Sequence, residues 1–182
     1  AGHAVMLGDV DRQQSARQWL ALRPPQLPVI GSWDVAGDHI VRPPKGTTHV
    51  VLDTPAGLHG KKLDVVVKSI HRVIVPLQPS IFDILATRAF LDELLEEKAV
   101  RNQKTFIAVV GMRVDARTRA AHELERFLEG LDVPVLGFLR DTQVYVQAAA
   151  HGLTLFDLSP ARAALDLPQW QGIIDWVDAP HE

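Results

Sequence analysis

Two segments of the sequence place carboxylates directly after a short apolar run. Asp9 and Asp11 follow the run VMLG, and Asp53 follows the run HVVL. The carboxyl ends of parallel strands form the ligand-binding edge of an open α/β sheet, so these side chains are candidates for one site. Carboxylates there can hold hydrated Mg²⁺ or orient a water molecule. The alternative for the first segment is that Asp11 or Ser15 merely caps the following helix.

The residues after Asp53 complete a second pattern, which reads DTPAG. A buried strand that projects a carboxylate toward Mg²⁺, followed by a turn of small residues, is the form of a Walker B strand. A lone aspartate that forms a turn is the alternative. A third run, VIVPLQPS from Val73, joins a strand to a helix through two prolines, and by itself it needs no more than a proline turn.

Apolar runs of strand length alternate with longer amphipathic stretches along the chain, which predicts the α/β class. We expect a mostly parallel, twisted sheet with helices on both faces, because several runs are almost wholly apolar. The predicted strands are Ala4–Gly8, Pro28–Ile30, His49–Asp53, Arg72–Pro76, Thr105–Gly111 and Pro134–Phe138. The predicted helices are Gln13–Leu22, Leu63–Ile70, Ser80–Lys98, Ala116–Gly130, Thr142–His151 and Ala161–Asp178.

Composition limits the class of protein. The chain has 182 residues, of which 47% are hydrophobic, and this length predicts one domain over residues 1–182. It has no cysteine, so disulfides and cysteine-bound metals are excluded, and no apolar run reaches the length of a membrane span. We therefore expect a cytoplasmic protein. The net charge of −3 argues against a surface that is basic overall and attracts nucleic acid.

Taken in order, the three segments resemble the motifs of the ParA/MinD family of deviant-Walker P-loop ATPases. That family carries VDxDPQ, then IDTPPG, then VPxQPSxxD. The resemblance continues through VVGMRVDARTR from Val109, VLGFLRD from Val135 and AAAHGLTLF from Ala148, and so covers nearly the whole chain. It implies a P-loop NTPase fold of the ParA type.

The resemblance also implies roles for individual residues. Asp11 matches the catalytic aspartate that orients the attacking water, and Asp53 matches the Walker B aspartate that binds the metal. Asp9 matches a neighbour close to the magnesium shell. The matched nucleotide-binding positions are Asp9, Gln13, Thr54, Pro55, Gly57, Met112, Arg113 and Arg140. Arg12 and Ala56 stand where the family usually has proline, and asparagine is more usual near Met112.

Residues 1–182 contain no phosphate-binding loop of the kind the family has near its N-terminus. The segment Lys45-Gly46-Thr47-Thr48 lacks the required spacing and precedes a strand, whereas a phosphate loop follows a strand and opens a helix. Either an upstream segment precedes Ala1 or the protein is naturally truncated. We favour the first, because a fold without its first strand would have a gap in the sheet and orphaned backbone groups.

The resemblance further implies the activity and the partners. With its phosphate loop, the complete protein is expected to be an Mg²⁺-dependent ATPase that uses ATP and forms a homodimer on binding it. Such proteins position plasmids, chromosomes or protein cargo, with a ParB-like or cargo adaptor as partner. The chain without that loop is expected to be inactive. The alternative function is a non-hydrolytic module that keeps the fold and recruits a protein partner.

DNA and membrane surfaces are the remaining candidate partners. Four arginines, Arg113, Arg117, Arg119 and Arg126, offer a local basic patch, which supports non-specific DNA binding only weakly. The C-terminal segment has apolar residues at helical spacing, but aspartates flank it, which disfavours an anionic membrane. We expect Trp170, Ile173, Ile174 and Val177 to pack onto the domain instead, with no membrane partner.

Overall fold

The computed structural model describes residues 2–35 and 40–180. The chain divides into two compact units, each described by itself below. The first comprises Ala1–Val65 with Val144–Ser159, and the second comprises Val66–Gln143 with Pro160–Glu182. The single domain expected over residues 1–182 stays a prediction.

The first unit is built on a three-stranded parallel sheet. Its strands are β1 (Val5–Asp9), β2 (Ile30–Trp33) and β3 (His49–Asp53), in the order β2-β1-β3. Helix α1 (Ser15–Ala21) follows β1. Parallel strands need crossover connections, and α1 supplies the one between β1 and β2. Strand β1 therefore lies in the centre, between the two strands that follow it in the chain.

A glycine lets the side chains of the first unit close over β1. A Cβ on Gly8 would lie 2.6 Å from Cγ2 of Val35 and 2.9 Å from Cε3 of Trp33, which is closer than packed atoms approach. Trp33, at the end of β2, is 8% exposed, so its indole covers the strand at this point. The absence of a side chain at Gly8 thus allows a large aromatic group to form the core beside Asp9, the one carboxylate of β1.

An ion pair joins distant parts of the first unit. The Arg23 guanidinium donates from Nη1 and Nη2 to the two carboxylate oxygens of Asp157, at 2.9 and 3.1 Å. Both side chains are buried, with exposures of 8% and 7%. Arg23 also donates to the carbonyls of Pro28 and Gly152. The pair thereby ties the segment after α1 to the 3₁₀ helix Leu155–Asp157.

The second unit contains the other parallel sheet. Its strands are β4 (Arg72–Leu77), β5 (Phe106–Val114) and β6 (Val135–Arg140), in the order β4-β5-β6. The helices of this unit are α3 (Ile81–Glu96), α4 (Lys98–Arg101), α5 (Arg119–Glu129), α7 (Pro160–Ala163) and α8 (Gln171–Asp178). Two further helices, α2 (Gly60–Ser69) and α6 (Gln143–Ala149), contain boundaries between the units. The α/β class and the parallel pairing predicted from sequence are confirmed, with the strands divided between two sheets.

Strand β5 forms the centre of the second unit. Ala108 and Val109 are fully buried, as are Leu94 of α3 and Leu124 of α5. A strand buried in this way reads as a continuous apolar run, which is why the sequence predicts it. The strand continues three residues beyond the predicted end at Gly111, through an irregular register against β6.

The C-terminal region contradicts one prediction and confirms another. The single helix predicted over Ala161–Asp178 is wrong: the structure has α7, a 3₁₀ helix at Leu167–Trp170 and then α8. Pro168 explains the break, because proline lacks an N–H and its ring clashes with the preceding turn. The expected packing onto the domain is confirmed for three of its four residues, since Ile173 joins a buried cluster that Trp170 and Val177 pack against.

Candidate functional site

Sheet register brings two of the predicted carboxylates together. Strands β1 and β3 pair in parallel with Asp9 opposite Asp53, and the N–H of Val10 donates to the Asp53 carbonyl at 3.0 Å. Both aspartates are the last residues of their strands, so they share the carboxyl edge of the sheet. The structure therefore places them at one edge, as the apolar runs before them predict.

Asp9 is engaged by the backbone of the segment that follows it. Its Oδ1 accepts the N–H of Asp11 at 3.0 Å, and its Oδ2 accepts those of Ala16 and Arg17 at 3.0 and 3.2 Å. The side chain is 8% exposed. Since Ala16 and Arg17 belong to the first turn of α1, Asp9 caps this helix from a distant position in the sequence.

Asp11 lies in the loop between β1 and α1. It is half-buried, and its Oδ1 accepts the N–H of Gln13 at 3.1 Å. The N-cap position of α1 is Gln14, whose φ of 50° and ψ of 42° are left-handed, and whose side chain forms no cap bond. Neither Asp11 nor Ser15 occupies the capping position, so the alternative considered for this segment is wrong. Gln13 itself is exposed.

Electrostatics at this edge act on Asp53. Partial burial raises the pKa of its carboxyl group, and the nearby charges of Asp9 and Asp11 raise it further, while a backbone hydrogen bond with Thr54 lowers it. A carboxylate held among other carboxylates is stabilised by any cation that binds beside it. The arrangement is therefore electrostatically suited to a metal ion.

The donor geometry limits how a metal ion fits here. The carboxylate oxygens of Asp9, Asp11 and Asp53 do not form a group of donors that all lie within 4.8 Å of one another in the described residues. Direct ligation by all three carboxylates is therefore not built into this structure. Mg²⁺ usually keeps several waters and takes only one or two protein carboxylates, and the half-exposed Asp53 fits that arrangement.

The Asp53→Asn variant is expected to be more stable than the parent chain at neutral pH without divalent cations. A raised pKa means that the folded state binds the proton more tightly than the unfolded state, so stability falls as pH rises above the ordinary value of 3.8. Asparagine removes that cost, and solvent screening of the half-exposed group limits the gain to at most about 1 kcal/mol. Thermal unfolding at pH 7 measures it.

The control for this comparison is Asp132→Asn, which neutralises a carboxylate in the loop between α5 and β6. It is expected to leave the melting temperature unchanged. A lower melting temperature for Asp53→Asn at pH 7 would contradict the electrostatic account.

The turn after Asp53 has the small-residue form that a phosphate-sensing loop needs. Thr54 and Pro55 are half-buried, and a Cβ added to Gly57, whose φ is +74°, would meet no atom within 4 Å. This left-handed backbone suits glycine and would strain other residues. The Gly57 carbonyl lies 2.7 Å from Nδ1 of His59. The turn is thus open on the side where a ligand could approach its backbone.

The residues predicted to hold the base lie in the second unit and have other partners. Met112 packs against the cluster of Val110, Leu139 and Ile173. Arg113 has a φ of +53° at the irregular part of β5, and its Nε donates to Asp141 at 3.2 Å. A left-handed non-glycine residue is uncommon and concentrates at functional positions. The left-handed backbone at Arg113 is the feature of this region that is typical of a functional site.

Arg140 forms an ion pair that the sequence does not reveal. Its guanidinium donates from Nε and Nη2 to the carboxylate of Asp166, which is completely buried, and its backbone N–H donates to Oε1 of Gln169. In the sequence, Asp166 is one of several acidic residues around the C-terminal segment, and no pattern marks it as a partner for Arg140. The ion pair gives Arg140 a structural role, and its recruitment to a nucleotide stays a prediction.

The basic patch considered for DNA is largely neutralised within the chain. Arg113 pairs with Asp141, Arg117 with Asp115, and Arg126 with Glu123. The hydrogen bonds with Arg117 hold the pKa of Asp115 at about 2, so this pair is ionised throughout the physiological range. These pairs reduce the free positive charge that phosphate groups could meet.

A cavity of about 200 Å³ lies beside Asp9 in the first unit. Arg17, Trp33 and Asp34 contribute to its wall. Pockets for drug-sized ligands, which are no larger than a nucleotide, usually have volumes of roughly 300–1,000 Å³. The cavity is therefore too small to enclose a whole nucleotide.

Comparison with known proteins identifies the architecture. A plasmid partition protein from Borrelia burgdorferi superposes with a TM-score of 0.60 at 13% identity, covering 85% of each chain. The septum site-determining protein MinD from Pyrococcus horikoshii OT3, complexed with Mg-ADP, gives 0.63 at 15% identity, covering 97% of this chain and 84% of that one. The chain has the ParA/MinD fold. No protein-family model matches the sequence.

A relative was also found by comparison of sequences. The maintenance of carboxysome distribution protein A from Gloeobacter kilaueensis is 29% identical over 163 residues, which cover 85% of this chain and 71% of that protein. The superposed structures, by contrast, confirm the ParA/MinD fold that the ordered motifs imply. Within residues 2–35 and 40–180, no helix combines the length and the apolar character that crossing a bilayer requires.

Proposed function

We propose that this chain is the greater part of a ParA-like ATPase domain that positions a cargo by ATP-dependent dimerisation and hydrolysis. One observation carries the proposal: Asp9 and Asp53 end two paired parallel strands, with Asp11 in the loop beside them. The solved MinD structure with the same fold is a complex with Mg-ADP, which supports ATP and Mg²⁺ as the ligands.

Each carboxylate has a separate task in the proposed reaction. Asp53 would hold Mg²⁺ through its hydration shell, and the chemistry the ion would supply there is neutralisation of charge on the phosphate oxygens. Asp11 orients the water that attacks the terminal phosphate. The turn of Thr54, Pro55 and Gly57 offers the backbone N–H of Gly57 to that phosphate, since proline has no N–H. Phosphoryl transfer depends mostly on positioning and on charge stabilisation, so these few groups suffice on the metal and water side.

The proposal requires a phosphate-binding loop from a segment upstream of Ala1. The first unit is consistent with a further element beside β3, because β3 pairs with β1 alone among the described residues. Val51 in this strand is 54% exposed, although parallel strands usually have both faces covered. We expect the codons before Ala1 to encode the Lys-Gly-Gly-x-Gly-Lys loop of this family.

ATP turnover tests the proposed function. Residues 1–182 alone are expected to hydrolyse ATP no faster than the buffer control, and the protein that includes the upstream loop is expected to hydrolyse it with Mg²⁺ dependence. Colorimetric phosphate release measures turnover, and light scattering with and without ATP measures dimerisation. Robust turnover by residues 1–182 would contradict the assignment of the phosphate site.

The cargo we propose is a protein assembly, with an adaptor protein as the partner. The support is the relative that maintains carboxysome distribution, which is more similar in sequence than the plasmid partition protein. The pairing of Arg113, Arg117 and Arg126 with carboxylates makes the DNA-binding alternative the weaker one. Pull-down with the protein encoded next to this gene tests the adaptor.

A second candidate is a non-hydrolytic module that keeps the ParA/MinD fold and recruits a protein partner. This candidate needs no phosphate-binding loop, and it is supported by the ion pair that holds Arg140, a matched nucleotide-binding position, on the buried Asp166. The upstream sequence separates the candidates, because a module of this kind needs no such loop. Absence of the loop from the gene would favour this second function.

A further inference from the structure

We propose that Asp9 is a positioning residue, which holds Asp11 in place by anchoring both ends of the loop between β1 and α1. Asp9 itself does not belong to the magnesium shell. The proposal rests on the proposed function only for the role of Asp11. It differs from the role that the motif resemblance implies for Asp9. The observations that carry it are the hydrogen bonds and the burial of this one side chain.

The acceptor capacity of Asp9 is almost fully used. An ionised carboxylate offers about four lone-pair positions. Backbone N–H groups from Asp11, Ala16 and Arg17 all donate to it. The side chain is also 8% exposed, whereas Asp53 is only half-buried. A cation at this edge therefore finds free oxygen positions on Asp53 and few on Asp9.

The same bonds fix where Asp11 lies. Oδ1 of Asp9 holds the N–H of Asp11, and Oδ2 holds two amides in the first turn of α1. Asp9 therefore anchors the loop at two points, one at Asp11 and the other at the start of α1. A water-orienting group must be held within a fraction of an ångström of its productive position, which such an anchor provides.

The strained end of the loop depends on this anchor. Gln14 has left-handed backbone angles, a conformation that costs a non-glycine residue free energy and persists where its surroundings impose it. Its own side chain does not cap α1. The Asp9 carboxylate replaces that missing cap, and its negative charge also suits the N-terminal end of the helix.

Amide hydrogen exchange of residues 1–182 tests the anchor without any ligand. The Asp9→Ala variant is expected to lose about tenfold or more of the protection of the Asp11, Ala16 and Arg17 amides, because hydrogen bonds to a charged acceptor are strong. The Val10 amide, which donates to the Asp53 carbonyl, serves as the internal control and is expected to keep its protection. Unchanged protection of all three amides would overturn the proposal.

If Asp9→Ala does not fold, Asp9→Ser replaces it, because serine retains one acceptor oxygen. Partial protection of Asp11 or Ala16 in the serine variant supports the anchor, and full protection overturns it. Circular dichroism identifies which of the two variants is folded and therefore which exchange data decide.

A metal titration separates an anchor from a ligand. Mn²⁺ is added to residues 1–182 and its binding is followed by electron paramagnetic resonance. Asp9→Asn is expected to bind Mn²⁺ within about threefold of the parent affinity, whereas Asp53→Asn is expected to bind it at least about tenfold more weakly. Equal weakening by both variants would overturn the proposal. If residues 1–182 alone bind no Mn²⁺, the titration is repeated with ATP and the protein that includes the upstream loop, because the loop and the phosphates also hold the metal in this fold, and hydrogen exchange decides the role of Asp9 in either case.

Turnover by the protein with its upstream loop provides the readout that a purely structural role would not give. Asp9→Asn keeps one acceptor oxygen and is expected to lower kcat about tenfold with KM for ATP unchanged, since Asp11 acts on the attacking water. Asp9→Ser is expected to show the same effect, a lower kcat with an unchanged KM for ATP. A rise in KM without a loss in kcat would overturn the proposal, because it would assign Asp9 to nucleotide binding.

Discussion

Arg23→Ala is expected to lower the free energy of unfolding by about 3–5 kcal/mol, because it leaves a buried carboxylate without its charge partner. Asp157 is 7% exposed, and Arg23 donates to both of its oxygens. The variant also removes donors to the carbonyls of Pro28 and Gly152. Urea unfolding followed by circular dichroism measures the change.

The ion pair also gives stability a defined dependence on pH. Hydrogen bonding to Arg23 lowers the pKa of Asp157 from 3.8 to about 2 in the folded state. A lowered pKa means that the stabilisation is complete above pH of about 4 and is lost as pH falls toward 2. The loss is worth about 2 kcal/mol, and Arg23→Ala is expected to remove the largest part of this pH dependence, while the hydrogen bonds from Thr154 retain the rest.

Arg117→Ala is the matched control for this prediction. Arg117 also forms paired hydrogen bonds to an aspartate, Asp115, but its side chain is 89% exposed. Because the pair is open to solvent, which screens its charges, this variant is expected to leave the urea midpoint almost unchanged. If Arg23→Ala and Arg117→Ala lowered the free energy of unfolding equally, burial would not be what makes the Arg23–Asp157 ion pair stabilising.

Asp11→Asn is expected to lower ATP turnover by about 10²–10⁴-fold in the protein that includes the upstream phosphate loop. The reason is that Asp11 is the carboxylate proposed to orient the attacking water, and asparagine cannot accept a proton in the same way. Asparagine does keep an oxygen for the N–H of Gln13, so the loop is expected to stay in place. Steady-state phosphate release at saturating ATP measures the effect.

Two comparisons decide whether the loss of turnover in Asp11→Asn arises in the chemical step. Nucleotide affinity of Asp11→Asn, measured by fluorescence of a labelled ATP analogue, is expected to stay within about threefold of the parent value. Asp132→Asn removes a carboxylate far along the chain and is expected to keep full turnover. Normal turnover by Asp11→Asn would remove Asp11 from the mechanism.

The strands and helices can be predicted from the sequence wherever periodicity is strong. The prediction of His49–Asp53 has both ends correct, since its apolar run stops at an aspartate that ends the strand. The predicted C-terminal helix is too long because apolar spacing continues across Pro168, where the backbone cannot remain α-helical. Local pattern therefore predicts the type of element, and backbone chemistry decides where it ends.

The candidate site is predictable in its position but only partly in its contacts. Asp9 and Asp53 can be assigned to the same edge because each ends an apolar run, and parallel strands align their carboxyl ends. The partners of Asp9 cannot be foreseen, because they are backbone amides, which every residue except proline carries. No residue type marks such a partner in the sequence.

By itself, the sequence determined the α/β class, the order of the motifs and the carboxylates available for chemistry, because apolar periodicity and residue type are local properties. Only the tertiary structure decided that Asp9 faces the first turn of α1 while Asp53 remains half-exposed. It also decided that Asp157 receives Arg23 and that Arg140 is held by Asp166. Those ion pairs join residues that are far apart in the chain. They form because a charged group that folding buries needs a partner of opposite charge.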